Sequence, residues 1–235
     1  MTETPSFPPL LTGEKAPSGI DPFEKARVAA MMGCDPGLVV WSDRVDALSA
    51  ALVLAPEQAL ADAISILFAP AIGFVDALGA LGPPEVAIHH VWPGSFRVNG
   101  ALCGGLRASA SARNPDEEPD WLVIGIDVPF LPTDGAADGD IEDADQTCLF
   151  NEGCAEITPN QLLESWSRHS LVWINRWVDD GLEPLHTAWR ERAWGMGDPL
   201  PDGGTFMGLD ECGGMLVKTE PGTDLRPLTD ILEAS

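Results

Sequence analysis

The run DWLVIGIDVPF at residues 120–130 constrains this chain more than any other stretch. Residues of both parities are apolar, which is the pattern of a strand covered on both faces rather than one with a wet side. The chain must therefore build packed layers on either side of a sheet. GLVVW (37–41), AALVLAP (50–56) and PPEVAIHHVWPG (83–94) supply further short strands. Helical patterns alternate with them. Asp21-Pro22 provides an N-cap and a proline at the first helical position, and Gly33 ends that helix. Residues 57–81 are helical and unusually apolar, with Pro70 demanding a kink or a break. Thr158-Pro159 opens a helix that Gly181 stops, with Leu162, Trp166, His169, Trp173 and Trp177 at helical spacing, and 183–195 forms another. The order predicts an α+β fold, an α/β-like mixed sheet flanked by helices.

Three regions follow from the punctuation. Residues 1–20 are rich in Pro, Gly and Ser and are expected to be an irregular lead-in; 21–195 form the main domain; 196–235, where TFMGL and MLVK lie between turn residues, form a small β-domain. The acidic stretch 131–146 is expected to be a solvated loop. It echoes a calcium loop, but Ala136 stands at a ligand position and the terminal bidentate Glu is missing.

Charge narrows the partners. With 37 acidic against 13 basic residues the formal charge is −24, and no basic patch is visible, so a nucleic-acid partner is not expected. The most apolar stretch, 63–75, is too short to span a membrane and contains Pro70, and the start lacks an export pattern, so the expected location is the cytoplasm. Five cysteines without a CxxC pair are expected as reduced thiols. No His/Cys cluster has metal-ligand spacing, and no GxSxG, P-loop or dinucleotide fingerprint is present. His169 and His186 are expected to be structural histidines with polar partners.

One anomaly remains. WPGSFRVNGALCGGLRASA (92–110) carries adjacent glycines, Gly104 and Gly105, inside a strand. Glycine there weakens the strand, and it marks a bulge or a close approach by another backbone or a ligand. Cys103 sits beside the pair. As a nucleophile it would need a base or a positive field, for which His89 or His90 is the nearest source; as a plain free cysteine it is a small buried hydrophobe.

From AIHHVWPGSFRVNGALCGGLRAS through WLVIGIDVPF, the helices from Leu162 to Gly195 and GGTFMGLDECGGMLVK, the chain resembles the biotin/lipoate protein ligase family. In that family a KWPND-like turn ends one strand, the next carries a Gly-x-Lys-x-x-Gly-Ile-Leu-like segment, and a later one a Gly-Ile-Asn-Val-like segment. A helical pair and a small SH3-like β-domain follow. Trp92, Gly104, Gly105, Leu106, Gly125 and Ile126 match that pattern. The resemblance implies a pocket for a small carboxylic acid such as biotin, lipoate or octanoate, or its adenylate. It draws on Trp92, Gly94, Ser95, Ala101, Gly104, Gly105, Leu106, Gly125 and Asp127, with the glycines letting backbone approach the ligand. ATP with magnesium would be cosubstrates, and a carrier-protein domain or a second copy of the chain would be partners.

The departures fall on the charges. Ala101 replaces the family lysine that contacts the carboxyl and phosphate, Gly94-Ser95 replace Asn-Asp, Val91 replaces the lysine before the tryptophan, and Asp127 replaces Asn. The Arg- and Gly-rich adenylate loop is reduced to residues 42–50, where Arg44 is the one basic residue. Each lost electrostatic contact removes about 3 kcal/mol of transition-state stabilisation. Arg44, Arg97 and Arg107 are the remaining candidate cations. Three functions stay open on the sequence: a ligase-like binding protein that has lost adenylation, an active ATP-dependent ligase, and a cofactor-free acyltransferase using Cys103.

Overall fold

The computed structural model describes residues 4–132 and 145–233; the notable acidic stretch 133–144 falls outside them. Seven strands make one mixed sheet: β1 (Thr12–Lys15), β2 (Leu38–Trp41), β3 (Ala47–Leu54), β4 (Ile88–Val91), β5 (Ser95–Val98), β6 (Ala101–Ala110) and β7 (Leu122–Pro129), in the order β1-β2-β3-β7-β6-β5-β4. The β1–β2 pair is parallel and the others are antiparallel. The doubly apolar run is the central strand β7, as its pattern requires, paired along its length with β3.

Helix α1 (Pro22–Met31) covers one face. Phe23 lies directly over Gly125 of β7, where a Cβ would come within 2.6 Å of its ring, so Gly125 is kept small by helix packing. The opposite face is covered by α2 (Leu60–Ala63), a 3-10 turn (Ile64–Leu67), α3 (Phe68–Leu81), α4 (Pro159–Asp180) and α5 (Glu183–Glu191). The break expected around Pro70 comes a few residues earlier, leaving Pro70 in the first turn of α3, where a missing N–H costs nothing. Leu60–Leu81 is long and apolar enough to cross a membrane by composition, but 78% of its apolar window is buried inside the protein. α4 begins with a full capping box, Thr158 with Gln161, and its tryptophans anchor it to that buried segment: the indole N–H groups of Trp166, Trp173 and Trp177 donate to Pro70 O, Asp76 Oδ2 and Ser65 Oγ.

Thr12–Lys15 corrects the expectation of an irregular lead-in, because four residues of it pair with β2 as an edge strand. A three-stranded antiparallel sheet closes the chain: β8 (Thr205–Leu209), β9 (Met215–Lys218) and β10 (Thr223–Arg226). After it, a 3-10 turn at Leu228–Ile231 returns to the main sheet, where Leu232 bridges Ala108 of β6. All five cysteines are free.

Candidate functional site

The glycine pair is a β-bulge. Ser95 pairs with Gly105 and Arg97 with Leu102, so two steps on β5 face three on β6. Cys103 and Leu106 both enter the core, three residues apart, although strict alternation would send them to opposite faces. The extra residue is Gly104, at φ +74, with its Cα so close to β7 that a Cβ would stand 2.1 Å from Asp127 O. Gly105 is pressed in the same way against Gly94 O and Ser95. Neighbouring backbone thus requires glycine at both positions. The bulge has a consequence for chemistry: it resets the parity of β6, so Leu106 goes to the core and Arg107 to the α1 face.

On that face a cleft of about 520 Å³ opens between the start of α1, the β2–β3 loop and strands β6 and β7. Its charged and polar wall is Asp21, Asp43, Arg44, Ser49, Arg107 and Asp127. The register explains the gathering, since Ser49 pairs with Asp127, Asp127 with Gly105, and Arg107 with Gly125. Asp21 arrives as the N-cap of α1: its Oδ1 accepts from Phe23 N at 2.9 Å and from Arg107 Nη2 at 2.9 Å. Arg107 Nη2 also donates to Asp21 Oδ2 at 2.8 Å and lies 3.4 Å from Asp127 Oδ2, with its guanidinium over the Phe23 ring. Burial opposes the Arg107 charge, but Asp21, Asp127 and Glu233 more than offset it and hold it protonated. Asp127 is the reverse case: burial raises its carboxyl above the usual range despite Ser49 and Arg107. Arg44 is clamped by Asp46 through two hydrogen bonds, at 2.9 and 2.7 Å.

Beyond Asp43 and Arg44, which line both, lies a second cleft of about 600 Å³ whose apolar lining includes Phe130, Leu131, Phe150 and Ile157. Among the described residues no three His, Cys, Asp or Glu side chains are placed to hold a metal ion.

Of the residues singled out in the sequence, the first cleft gathers Arg44, Arg107 and Asp127. The others lie elsewhere. Arg97 is committed to Asp145 and Gly100 O and stacks on Trp194, away from the cleft lining. Ala101 stands opposite Val98, a core residue. Trp92 donates its indole N–H to Gly213 O and so latches the C-terminal sheet, while Gly94 is packed against both Ile231 and Leu106. Ser95 belongs to the bulge register and Gly125 to Phe23 packing. Cys103 is fully buried in the core and its thiol is pushed up to about 12 by burial, with Cys148, Glu152 and Cys154 adding to the effect, which disfavours the thiolate a nucleophile needs. Of the two candidate bases, His89 lies edge-on against Trp194, and His90 is buried against Trp189 and pushed down to about 3, chiefly by burial. His186 departs from the expected pattern too, since its buried Nε2 has no hydrogen-bond partner. The sequence reading missed Asp21 and Asp43. The Asp21-Pro22 cap was visible as a helix start, but its second role, as a carboxylate against Arg107, depends on the bulge.

The architecture is a seven-stranded mixed sheet with helices on both faces, a cleft on the α1 side and a small three-stranded sheet appended toward the C-terminus. The chain belongs to the biotin/lipoate A/B protein ligase family, whose family model matches residues 7–191. It is 23% identical over 187 residues, 77% of each chain, to a biotin--[acetyl-CoA-carboxylase] ligase of Paracoccus denitrificans. Its structure is similar to that of a biotin protein ligase-like protein of unknown function from Silicibacter sp. tm1040, with a TM-score of 0.92 and 50% identity over 98% of this chain and 100% of that one. It shares its fold with the biotin protein ligase of Aquifex aeolicus in complex with biotin and ATP, with a TM-score of 0.68 and 16% identity over 92% and 94% of the two chains.

Proposed function

We propose that this chain is a ligase-family binding protein whose cleft takes a small carboxylic acid, of the biotin, lipoate or octanoate class, without the cations that adenylation needs. The observation that carries this reading is the state of the cleft's two lining cations: Arg44 is held by Asp46, and Arg107 by Asp21 and Asp127. A single carboxylate can compete for an arginine edge, because a charge-assisted hydrogen bond contributes roughly 1.5–3 kcal/mol. A triphosphate does not fit the same wall. Asp21, Asp43 and Asp127 line it, and a like-charge pair held ~5 Å apart costs roughly 3 kcal/mol at an effective dielectric of about 20. The apolar cleft beyond Arg44 offers room for the hydrocarbon part of the acid, with the carboxylate at the arginines.

The second reading, an active ATP-dependent ligase acting on a carrier domain, is favoured by the family match across the whole cleft-bearing domain and by a relative that holds biotin and ATP. Calorimetry with biotin, lipoate and octanoate, each with and without Mg-ATP, and a pyrophosphate-release assay separate the two. Acid binding unaffected by ATP, with no pyrophosphate, is the expected result. Acid-dependent pyrophosphate release would replace the first reading with the second. Acid binding nowhere in the matrix would remove both.

A further inference from the structure

The C-terminal segment reaches the site at one residue, Arg107. β5 leaves β6 at Gly105, and after Gly94 O accepts from Leu106 N that edge of β6 has no strand beside it among the described residues. The returning chain fills the gap: Leu232 bridges Ala108, and Glu233 N donates to Ala108 O at 2.9 Å. Leu228 is buried and anchors the segment, and Ile231 lies against the Gly94 turn. Arg113 grips the far end through Leu232 O and Glu233 O. The outcome is that Glu233 Oε1 stands 3.8 Å from Arg107 Nε, a buried N–H with no hydrogen-bond partner. Two of the three edges around that guanidinium are thus treated differently. Asp21 bonds the Nη2 end at full hydrogen-bond distance, whereas the Nε side faces a carboxylate that is near enough to neutralise it and too far to satisfy it.

We propose that Ile231–Glu233 is an autoinhibitory strap: the Glu233 carboxylate is an internal stand-in for an acid ligand, guarding the Nε side of Arg107, and an incoming carboxylate binds by displacing it. The carboxylic-acid class rests on the reading above; the guarding of Arg107 rests on geometry alone. Displacement requires only that the tip lift from Ala108, since Leu228 is seated in the core three residues before Ile231. Leu232 and Glu233 are half-buried, and one backbone bond to β6, the Leu232 N–H to Thr229 O, the packing of Leu232 on the core and the Arg113 contacts hold them.

The test uses the full chain and Glu233→Gln, which removes the charge and keeps the shape. Modification of Arg107 by p-hydroxyphenylglyoxal, read by peptide mass spectrometry, is expected to be at least threefold faster in E233Q. Octanoate and biotin are expected to bind E233Q about tenfold more tightly than the parent. A second variant, Leu232→Asp, which lifts the tip without touching the carboxylate, should speed Arg107 labelling in the same direction. Equal labelling rates in all three proteins would overturn the strap, whatever the acids do. Faster labelling in the variants with no acid binding to any protein would uphold the strap and overturn the acid reading.

Discussion

The two faces of the central sheet are made by the same strands and differ in kind. Toward α3, α4 and α5, strands β3, β6 and β7 present Leu48, Ala50, Leu52, Leu106, Ile124 and Ile126, all buried in one continuous core. Toward α1 the same strands pack Ala51, Val53 and Val123 into a smaller apolar cluster with Phe23, and at one end of it present Ser49, Arg107 and Asp127 instead. One residue step separates the dry face from the charged one, so register carries as much of the site as residue identity does. On β6 that step is taken by Gly104. Without the bulge, the order of side chains after Cys103 would invert and Arg107 would point into the helices.

The largest expected effect breaks the comparison at that point. Gly104→Ala puts a Cβ at φ +74 and 2.1 Å from Asp127 O. Left-handed strain and overpacking together cost roughly 2–6 kcal/mol, so urea unfolding should show a large loss, and Arg107 labelling should change pattern in whatever folds. An undiminished midpoint would mean that the bulge is dispensable. The next pair sharpens the contrast between faces. Ile126→Ala on the dry face is expected to cost about 2–5 kcal/mol of stability and to leave acid binding nearly intact. Arg107→Gln, one strand away on the other face, should do the opposite: a small change in unfolding midpoint and at least a tenfold loss of acid binding by calorimetry. If both variants moved both quantities alike, the faces would not be functionally separate.

How much of this was legible in the sequence follows the same division. The doubly apolar β7, the capped starts of α1 and α4, the apolar helical stretch before Leu81 and two of the three C-terminal strands, β8 and β9, are written in local pattern, and they form where that pattern puts them. β1 was hidden, because its four residues are all exposed and take their identity from pairing with β2. In the site, Arg44, Arg107 and Asp127 could be picked out by family resemblance, but their company could not. Asp21 is 86 residues from Arg107, and Glu233 lies on a segment whose return to β6 no local motif announces. Arg97 looked equivalent to Arg107, yet Asp145 and Trp194 claim it. Cys103 could be read beside the glycines as a nucleophile or as a small buried hydrophobe, and the second reading is the one that matches its place in the core.

The faces should also titrate with opposite sign, which gives the smallest and most discriminating measurement. His90, on the dry side, is buried against Trp189, with neither ring nitrogen hydrogen-bonded, and is pushed down to about 3 by burial, with Arg192 and His89 adding to it. The unfolded chain takes up that proton near pH 6.5 and the folded one does not. His90 therefore costs no stability above pH 6.5 and lowers it progressively as pH falls from 6.5 toward about 3, by up to about 1.4 kcal/mol per pH unit, or about 2 kcal/mol at pH 5. Asp127, on the charged side, is raised by burial, so the folded state favours its protonated form. Its contribution is greatest below the ordinary carboxylate range and is lost as pH rises through its folded value. Because that side chain is 45% exposed, solvent screening holds the effect under about 1 kcal/mol. Unfolding midpoints from pH 4 to pH 8 should show His90→Phe flattening the acid limb, while Asp127→Asn leaves that limb in place and slightly raises the plateau at pH 7. A parent profile flat between pH 6.5 and pH 4 would mean that water or a proton reaches His90. An Asp127→Asn protein less stable than the parent at pH 7 would mean that the ion pair with Arg107 outweighs burial, and that the cleft is held together by the charges proposed to keep phosphate out.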